Sequence, residues 1–305
     1  DDAPDISHFF VHDGAKFVNT VVVCGSEYSF TEEQDWKGDI EFKRYARRFA
    51  KLALYKALRA ETGKSMPWGA LTGIRPTKLA YGERDAGRDF VPLFEKFGVS
   101  AENISLVSDV LAAQEGIYGK EEGAADLYIG IPFCPSKCNY CSFITADIGK
   151  TGKYIGAYLD ALEKELAACK GMGRLKSAYM GGGTPLVLEM KDLERVLEVA
   201  AGLIPRGTEY TVEAGRPDVF TEEKLALLKD YGVTRICVHP QTFSDKTLGR
   251  IGRKHTAADI YRAFGMAQKY GFDINCDLIA GLTGESLGEF ENSIESAVSL
   301  SPDNI

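Results

Sequence analysis

The sequence predicts an α/β protein: a partial (β/α) barrel preceded by a smaller α+β domain. Three observations carry this. From Leu127 onward, short apolar runs alternate with amphipathic stretches, the rhythm of strand and helix around a parallel sheet. The glycine-rich and polar motifs of that stretch fall where the strands end, which is where repeated right-handed βα units place functional residues. Residues 1–120 have a different texture, so the 305 residues are read as an N-terminal accessory domain, 1–120, and a core, 121–305.

The first domain opens with apolar runs at Phe9–Val11 and Phe17–Cys24, followed by a long helical stretch from Asp39 to Thr62. The segment PWGALTGIRPTKL, Pro67–Leu79, joins these to a mostly helical piece ending near Tyr118, and 119–125 serve as linker. In the core, strands are expected at Leu127–Pro132, Ser177–Met180, Glu209–Ala214, Arg235–Val238 and Asp273–Ile279. Helices fill the gaps. In the first, Tyr158, Leu159, Leu162, Leu166 and Cys169 recur at helical spacing, with Asp160, Glu163 and Lys164 opposite. The others are expected at Glu189–Gly202, Thr221–Tyr231, Thr256–Tyr270 and Ser286–Leu300. A sixth strand is expected to begin at Asp303 and to be cut off at Ile305, so the barrel is read as truncated there.

With 45% hydrophobic and 26% charged residues the composition is that of an ordinary globular protein. A net charge of −8 argues against a nucleic-acid or anionic-membrane surface, although a local basic patch can hide inside that total. No apolar run reaches the roughly 20 residues of a membrane span, and the acidic start DDAPDISH lacks a secretory signal's basic and apolar regions, so a cytoplasmic protein without nucleic-acid or membrane partners is expected. Seven cysteines, three of them clustered, fit a reducing compartment and a metal or catalytic site.

In LYIGIPFCPSKCNYC, Cys134, Cys138 and Cys141 stand in C-x3-C-x2-C spacing on the loop after the first barrel strand. Thiolates are soft anionic donors, and this spacing lets one loop wrap three corners of an iron–sulfur cluster. Three ligands leave one iron open to chelation. A zinc site would need a fourth ligand, and His8, His12, His239 and His255 are all distant in sequence. Cys24, Cys169, Cys237 and Cys276 lack ligand spacing and are read as buried small apolar side chains. Further motifs follow the later strands: GGGTP at Gly181–Pro185, TVEAGRPD with Glu213, HPQTF with Gln241, IGRKHT with Arg253, and INCDLIAGLTGE with Asp277.

On these motifs the stretch from Leu127 to Ile305 resembles the radical SAM (S-adenosyl-L-methionine) superfamily, and within it the oxygen-independent coproporphyrinogen III oxidase family. PWGALTGIRPTKL brings it closest to the HemZ-type coproporphyrinogen dehydrogenases. The resemblance implies a radical SAM barrel in which Cys134, Cys138 and Cys141 hold a [4Fe-4S] cluster whose open iron takes S-adenosyl-L-methionine. It also implies that Tyr140 lies against that cofactor. Gly181, Gly182, Gly183 and Thr184 would face its methionine amino group, Arg253 would pair its carboxylate, and Glu213, Gln241 and Asp277 would take the ribose hydroxyls and the amino group. Tyr128 matches the family's tyrosine near the cluster and is the catalytic candidate.

The implied reaction is oxidative decarboxylation of coproporphyrinogen III propionates to vinyls, giving protoporphyrinogen IX for porphyrin and haem biosynthesis, with reduced flavodoxin or ferredoxin as electron donor. Another haem- or porphyrin-directed radical SAM enzyme, a methyltransferase or a ring-opening enzyme, and a haem chaperone are the rival readings, because fold and initiator do not fix substrate. There are departures from the pattern: Thr283 stands where relatives often carry proline, and His239 where a small or polar residue is common. His239 is read as touching substrate or as a packed strand-end histidine, and His255 as belonging to the start of the next helix. Arg75 has the chemistry to meet a propionate, but Trp68 and Pro76 read more simply as a rigid docking turn.

Overall fold

A computed structural model describes residues 5–117 and 121–305, and the chain separates into two compact units, Asp1–Gly119 and Lys120–Ile305. The expected helix end near Tyr118 and the first residues of the expected linker lie outside the described residues.

In the first unit, β1 (Ile6–Asp13), β2 (Lys16–Val23) and β3 (Ser26–Glu33) form an antiparallel sheet in that order. The central strand alternates buried and half-buried residues, and α1 (Gly38–Thr62) covers its inner face, placing Phe49 and Leu52 by Phe17 and Ala53 and Ala57 by Val21 and Val23. Sequence reasoning missed β3. Its run SEYSFTEE has only Tyr28 and Phe30 as large apolar residues, and even these are half-buried on an edge strand. Cys24 sits exposed in the turn before it, so the reading of that cysteine as buried is wrong. The helices α2 (Pro76–Asp85), α3 (Val91–Lys96) and α4 (Ala101–Ala113) complete the unit. Trp68 and Leu71 of the PWGALTG segment pack into the same core, Pro76 is the first residue of α2, and Arg75 is exposed.

The second unit is an all-parallel five-stranded sheet. Its strands are β4 (Ala124–Ile131), β7 (Arg174–Gly182), β8 (Glu209–Gly215), β9 (Arg235–Gln241) and β10 (Asp273–Leu278), side by side in sequence order. A short parallel pair, β5 (Phe133–Cys134) and β6 (Ala146–Asp147), brackets the cysteine loop. The crossovers are made by α5 (Ile148–Thr151) with α6 (Ile155–Ala168), by α7 (Met190–Ala201) and α8 (Glu222–Asp230), and by α9 (Asp245–Arg250) with α10 (Ala257–Lys269); α11 (Leu287–Ser299) follows β10. In α7, Leu193, Val196, Leu197 and Ala200 fill one buried stripe. Ser286, Thr256 and Thr221 cap the helices they precede, each contributing about 1 kcal/mol.

The sequence places the five strands of the sheet and α6, α7, α8, α10 and α11 to within a few residues, and misses the short elements β5, β6, α5 and α9. Two of the expected linker residues, Ala124 and Ala125, belong instead to β4, because backbone pairing with Arg174 and Leu175 extends the strand beyond its apolar stretch. Beyond α11 the chain returns to the sheet, with Asn304 pairing parallel to Asn275. Among the described residues no helix is long and apolar enough to cross a membrane.

Candidate active site

The loop Cys134–Cys141 leaves β5 at the carboxyl end of β4 and is gripped from two sides. On one, the Gly183 and Thr184 amides donate to the Ile131 and Phe133 carbonyls, each at 2.8 Å, which ties the GGGT turn to the strand leading into the loop. On the other, the loop between α9 and α10 takes three bonds. The Asn139 amide donates to the Ile251 carbonyl at 3.0 Å, the Asn139 Nδ2 to the Arg250 carbonyl at 2.8 Å, and the Ser136 hydroxyl to the Gly252 carbonyl at 3.2 Å. That same loop carries Arg253, so the cysteines and the arginine are held in one register.

A cavity of about 470 Å³ opens at this end of the sheet. Cys134, Cys138 and Cys141 form part of its wall, with Tyr140 between them. Gly182, Gly183 and Thr184 form another part, and Glu213, Gln241, Arg253 and Asp277 complete the set expected from sequence, joined by His239. Gly181 and Tyr128 are not on the wall. Tyr128 is 61% exposed, with its ring stacked on Tyr179 at 5.9 Å.

The glycines have separate physical reasons. A side-chain carbon at Gly181 would come within 2.7 Å of the Glu213 Oε2, so that position is glycine to admit the carboxylate. Gly182 has a φ of +103°, and a carbon at Gly183 would lie 2.5 Å from the Phe133 carbonyl oxygen. The amides of Gly182, Gly183 and Thr184 are all engaged, the first donating to Glu213 at 3.2 Å. The acceptor this corner offers a ligand's ammonium is therefore the Glu213 carboxylate, which Tyr179 also steadies by donating to it at 2.7 Å. Thr184, 2% exposed, turns its hydroxyl to the Cys134 sulfur at 3.5 Å.

Across the cavity, Arg253 is 7% exposed. It donates to the His239 carbonyl and, at 2.9 Å, to the Tyr140 hydroxyl, while its Nε has no partner. No carboxylate among the described residues pairs with it. Burial pushes the Tyr140 phenol up to about 12, so it stays protonated. Gln241 is held at a φ of +68°, a region costly for a residue with a side chain, at the carboxyl end of β9. His239 lies 3.3 Å from Asp277 without aligned hydrogen-bond geometry, and burial pushes its pKa down even against that carboxylate. The Asn275 amide donates to the other Asp277 oxygen at 2.6 Å.

The residues fit the cofactors that the resemblance implies. Three thiols are spread around one wall, whereas no three His, Cys, Asp or Glu side chains among the described residues gather at one point as a single ion requires. A buried guanidinium with an orphaned Nε faces the same space, and it fits a carboxylate. Of the remaining cysteines, Cys237 and Cys276 are buried, as expected, and Cys276 reaches the cavity wall. Cys169 is only half-buried at the end of α6.

Sequence reasoning missed a buttress behind the loop. Arg216, 2% exposed, donates to the Ser136 hydroxyl at 2.6 Å and forks onto Asp218 at 3.1 and 2.9 Å. His255, just ahead of the α10 cap, is buried 3.5 Å from the same carboxylate. Burial alone would raise the Asp218 carboxyl, but His255 and Arg216 overcome it and hold the group well below the usual carboxylate range. The available signal was the Arg-x-Asp pair inside GRPD.

The radical SAM superfamily profile matches residues 128–297. The chain is 36% identical over 266 residues, 81% of its length and 53% of the relative's, to the oxygen-independent coproporphyrinogen-III oxidase-like protein HemZ of Bacillus subtilis. It is 38% identical over 180 residues to the heme chaperone HemW of the same organism, covering 57% of this chain and 47% of that one. Among solved structures it is similar to the coproporphyrinogen III oxidase HemN of Escherichia coli, a radical SAM enzyme, with a TM-score of 0.55 and 26% identity over 63% of this chain and 45% of that one. The chain spans about half the length of the curated relatives it matches. The chain belongs to the radical SAM superfamily, in its HemN/HemZ-type family.

Proposed function

We propose that this chain initiates radical decarboxylation of a porphyrinogen, converting coproporphyrinogen III propionates to vinyl groups. The observation that carries the initiating half is the buried Arg253, without a carboxylate partner among the described residues, set in one register with the three cysteines. The substrate half is supported by the similarity to HemZ, which at 81% of the chain reaches beyond the second unit into the N-terminal one.

The cofactors of the family are a [4Fe-4S] cluster and S-adenosyl-L-methionine; the reduced cluster supplies the electron that splits the latter into methionine and a radical able to take hydrogen from a propionate carbon. Cys134, Cys138 and Cys141 would hold the cluster and leave one iron open. Arg253 would receive the methionine carboxylate on its free N–H groups, with the Tyr140 ring beside it. Glu213 would accept from the ammonium, and Gln241 and Asp277 from the ribose hydroxyls. Loss of carbon dioxide from the substrate leaves the vinyl group and one electron, which passes to a one-electron acceptor. Reduced flavodoxin or ferredoxin is the proposed donor, and Tyr128 would act at the rim.

The test is anaerobic reconstitution with dithionite, S-adenosyl-L-methionine and coproporphyrinogen III, with 5′-deoxyadenosine and protoporphyrinogen followed together by mass spectrometry. Both products, absent in Cys138→Ala, support the decarboxylase. 5′-Deoxyadenosine alone assigns a different substrate. The similarity to HemW favours one second reading, a haem chaperone, and haem retained by cluster-loaded protein that yields neither product would establish it.

A further inference from the structure

α1 turns one face to the first sheet, and its opposite face carries an unusual stripe. Ile40, Lys43, Arg44, Arg47, Arg48 and Lys51 recur at steps of three and four, so they share one side of the helix over ~16 Å. With Ile74 they line a groove of about 540 Å³, within the size range of small-molecule sites. Lys43, Arg44, Arg47 and Lys51 are exposed and Arg48 is half-buried; among the described residues none of the five forms an ion pair. Like charges at these steps repel and cost helix stability; Asp39 and Glu41 stand in the first turn, but from Lys43 to Lys51 no acidic residue is interleaved. All this stands in a chain whose net charge is −8.

The lining is five cations and two isoleucines, Ile40 itself being 79% exposed. It holds no aromatic ring on which a base could stack, which disfavours single-stranded nucleic acid. Apolar walls edged by cations complement a ligand with a broad apolar body and several carboxylates. We propose that this groove binds a tetrapyrrole polycarboxylate, its macrocycle against Ile40 and Ile74 and its carboxylates on Arg44, Arg47 and Lys51. The groove shares no residue with the catalytic cavity. The tetrapyrrole identity rests on the proposed function; the polyanion chemistry does not. Arg48 lies over the Tyr45 ring at 5.8 Å, and burial lowers its pKa, consistent with a guanidinium partly withdrawn from water.

The experiment titrates coproporphyrin III, the stable fluorescent tetracarboxylate, into the reconstituted chain and its variants. Binding should survive Cys138→Ala, weaken with added salt, fall at least tenfold in Arg44→Gln/Arg47→Gln/Lys51→Gln, and stay within about threefold in Arg44→Lys/Arg47→Lys. Circular dichroism of the triple variant should show α1 intact, and the charge-keeping variant separates lost charge from lost fold. Unchanged binding in the triple variant overturns the proposal. Equal binding of the tetramethyl ester also overturns it, as does an oligoribonucleotide that displaces the porphyrin below the porphyrin's own dissociation constant. Porphyrin bound here without turnover sinks the decarboxylase reading and leaves this one standing; turnover with a groove that ignores porphyrin does the reverse.

Discussion

Arg253 has a cation's cost of burial and no anion in the described chain to offset it. Arg253→Lys keeps the charge and loses the planar fork, so S-adenosyl-L-methionine binding by calorimetry should weaken by about tenfold, and Arg253→Ala should weaken it by at least a hundredfold. A second expectation attaches to Thr184, whose hydroxyl meets the Cys134 sulfur at 3.5 Å. A hydrogen bond to a ligand sulfur stabilises the more negative, reduced cluster. Thr184→Val should lower the cluster's midpoint potential by on the order of tens of millivolts, and Thr184→Ser should restore it, read by potentiometric titration followed by electron paramagnetic resonance. A midpoint that does not move in the valine variant would remove Thr184 from the cluster's environment.

At the scale of the elements, the cysteine loop depends on groups far from it in sequence. Arg216 is buried while its partner Asp218 keeps contact with solvent, so Arg216→Ala removes charged hydrogen bonds worth about 2 kcal/mol and should both lower the unfolding free energy and reduce the iron retained after reconstitution. The pair also gives a pH dependence. The folded-state carboxyl of Asp218 is depressed, so its contribution is full above its unfolded value near ~4 and is lost as pH falls below that. The difference in urea midpoint between the natural chain and Asp218→Asn should therefore be widest at neutral pH and narrow on acidification below about pH 4. A gap that widens instead would show that the pair does not stabilise the fold. Gly183→Ala should cost about 2 kcal/mol by forcing β7 off the backbone before Cys134, visible as reduced cluster content.

For the whole molecule, the two units bury separate cores, and the residues placed at the cofactors all belong to the second. Calorimetry should show two transitions, of which S-adenosyl-L-methionine raises only one, by RT ln(1 + [L]/Kd). Much of the second unit was legible because its signals are local. Apolar runs and helical stripes mark strands such as β9 and helices such as α7, and the C-x3-C-x2-C spacing lies within one loop. What escaped was non-local or weakly patterned. β3 is an edge strand with only two half-buried aromatics. The clamp joining Arg216, Asp218 and His255 to Ser136 spans residues that share no sequence period. The spent amides of GGGT follow from its docking on Ile131 and Phe133, which a glycine run alone does not reveal.

The grip of the α9–α10 loop on the cysteine loop also sets a timetable. Ser136 precedes its anchor Gly252 by 116 residues, so a chain synthesised at 5 to 20 residues per second displays its three thiols for roughly 6 to 23 s before the loop that fixes them exists. During that interval the thiols are exposed to oxidants and stray metal ions without their frame. Productive cluster delivery is then expected only after the α9–α10 loop has emerged.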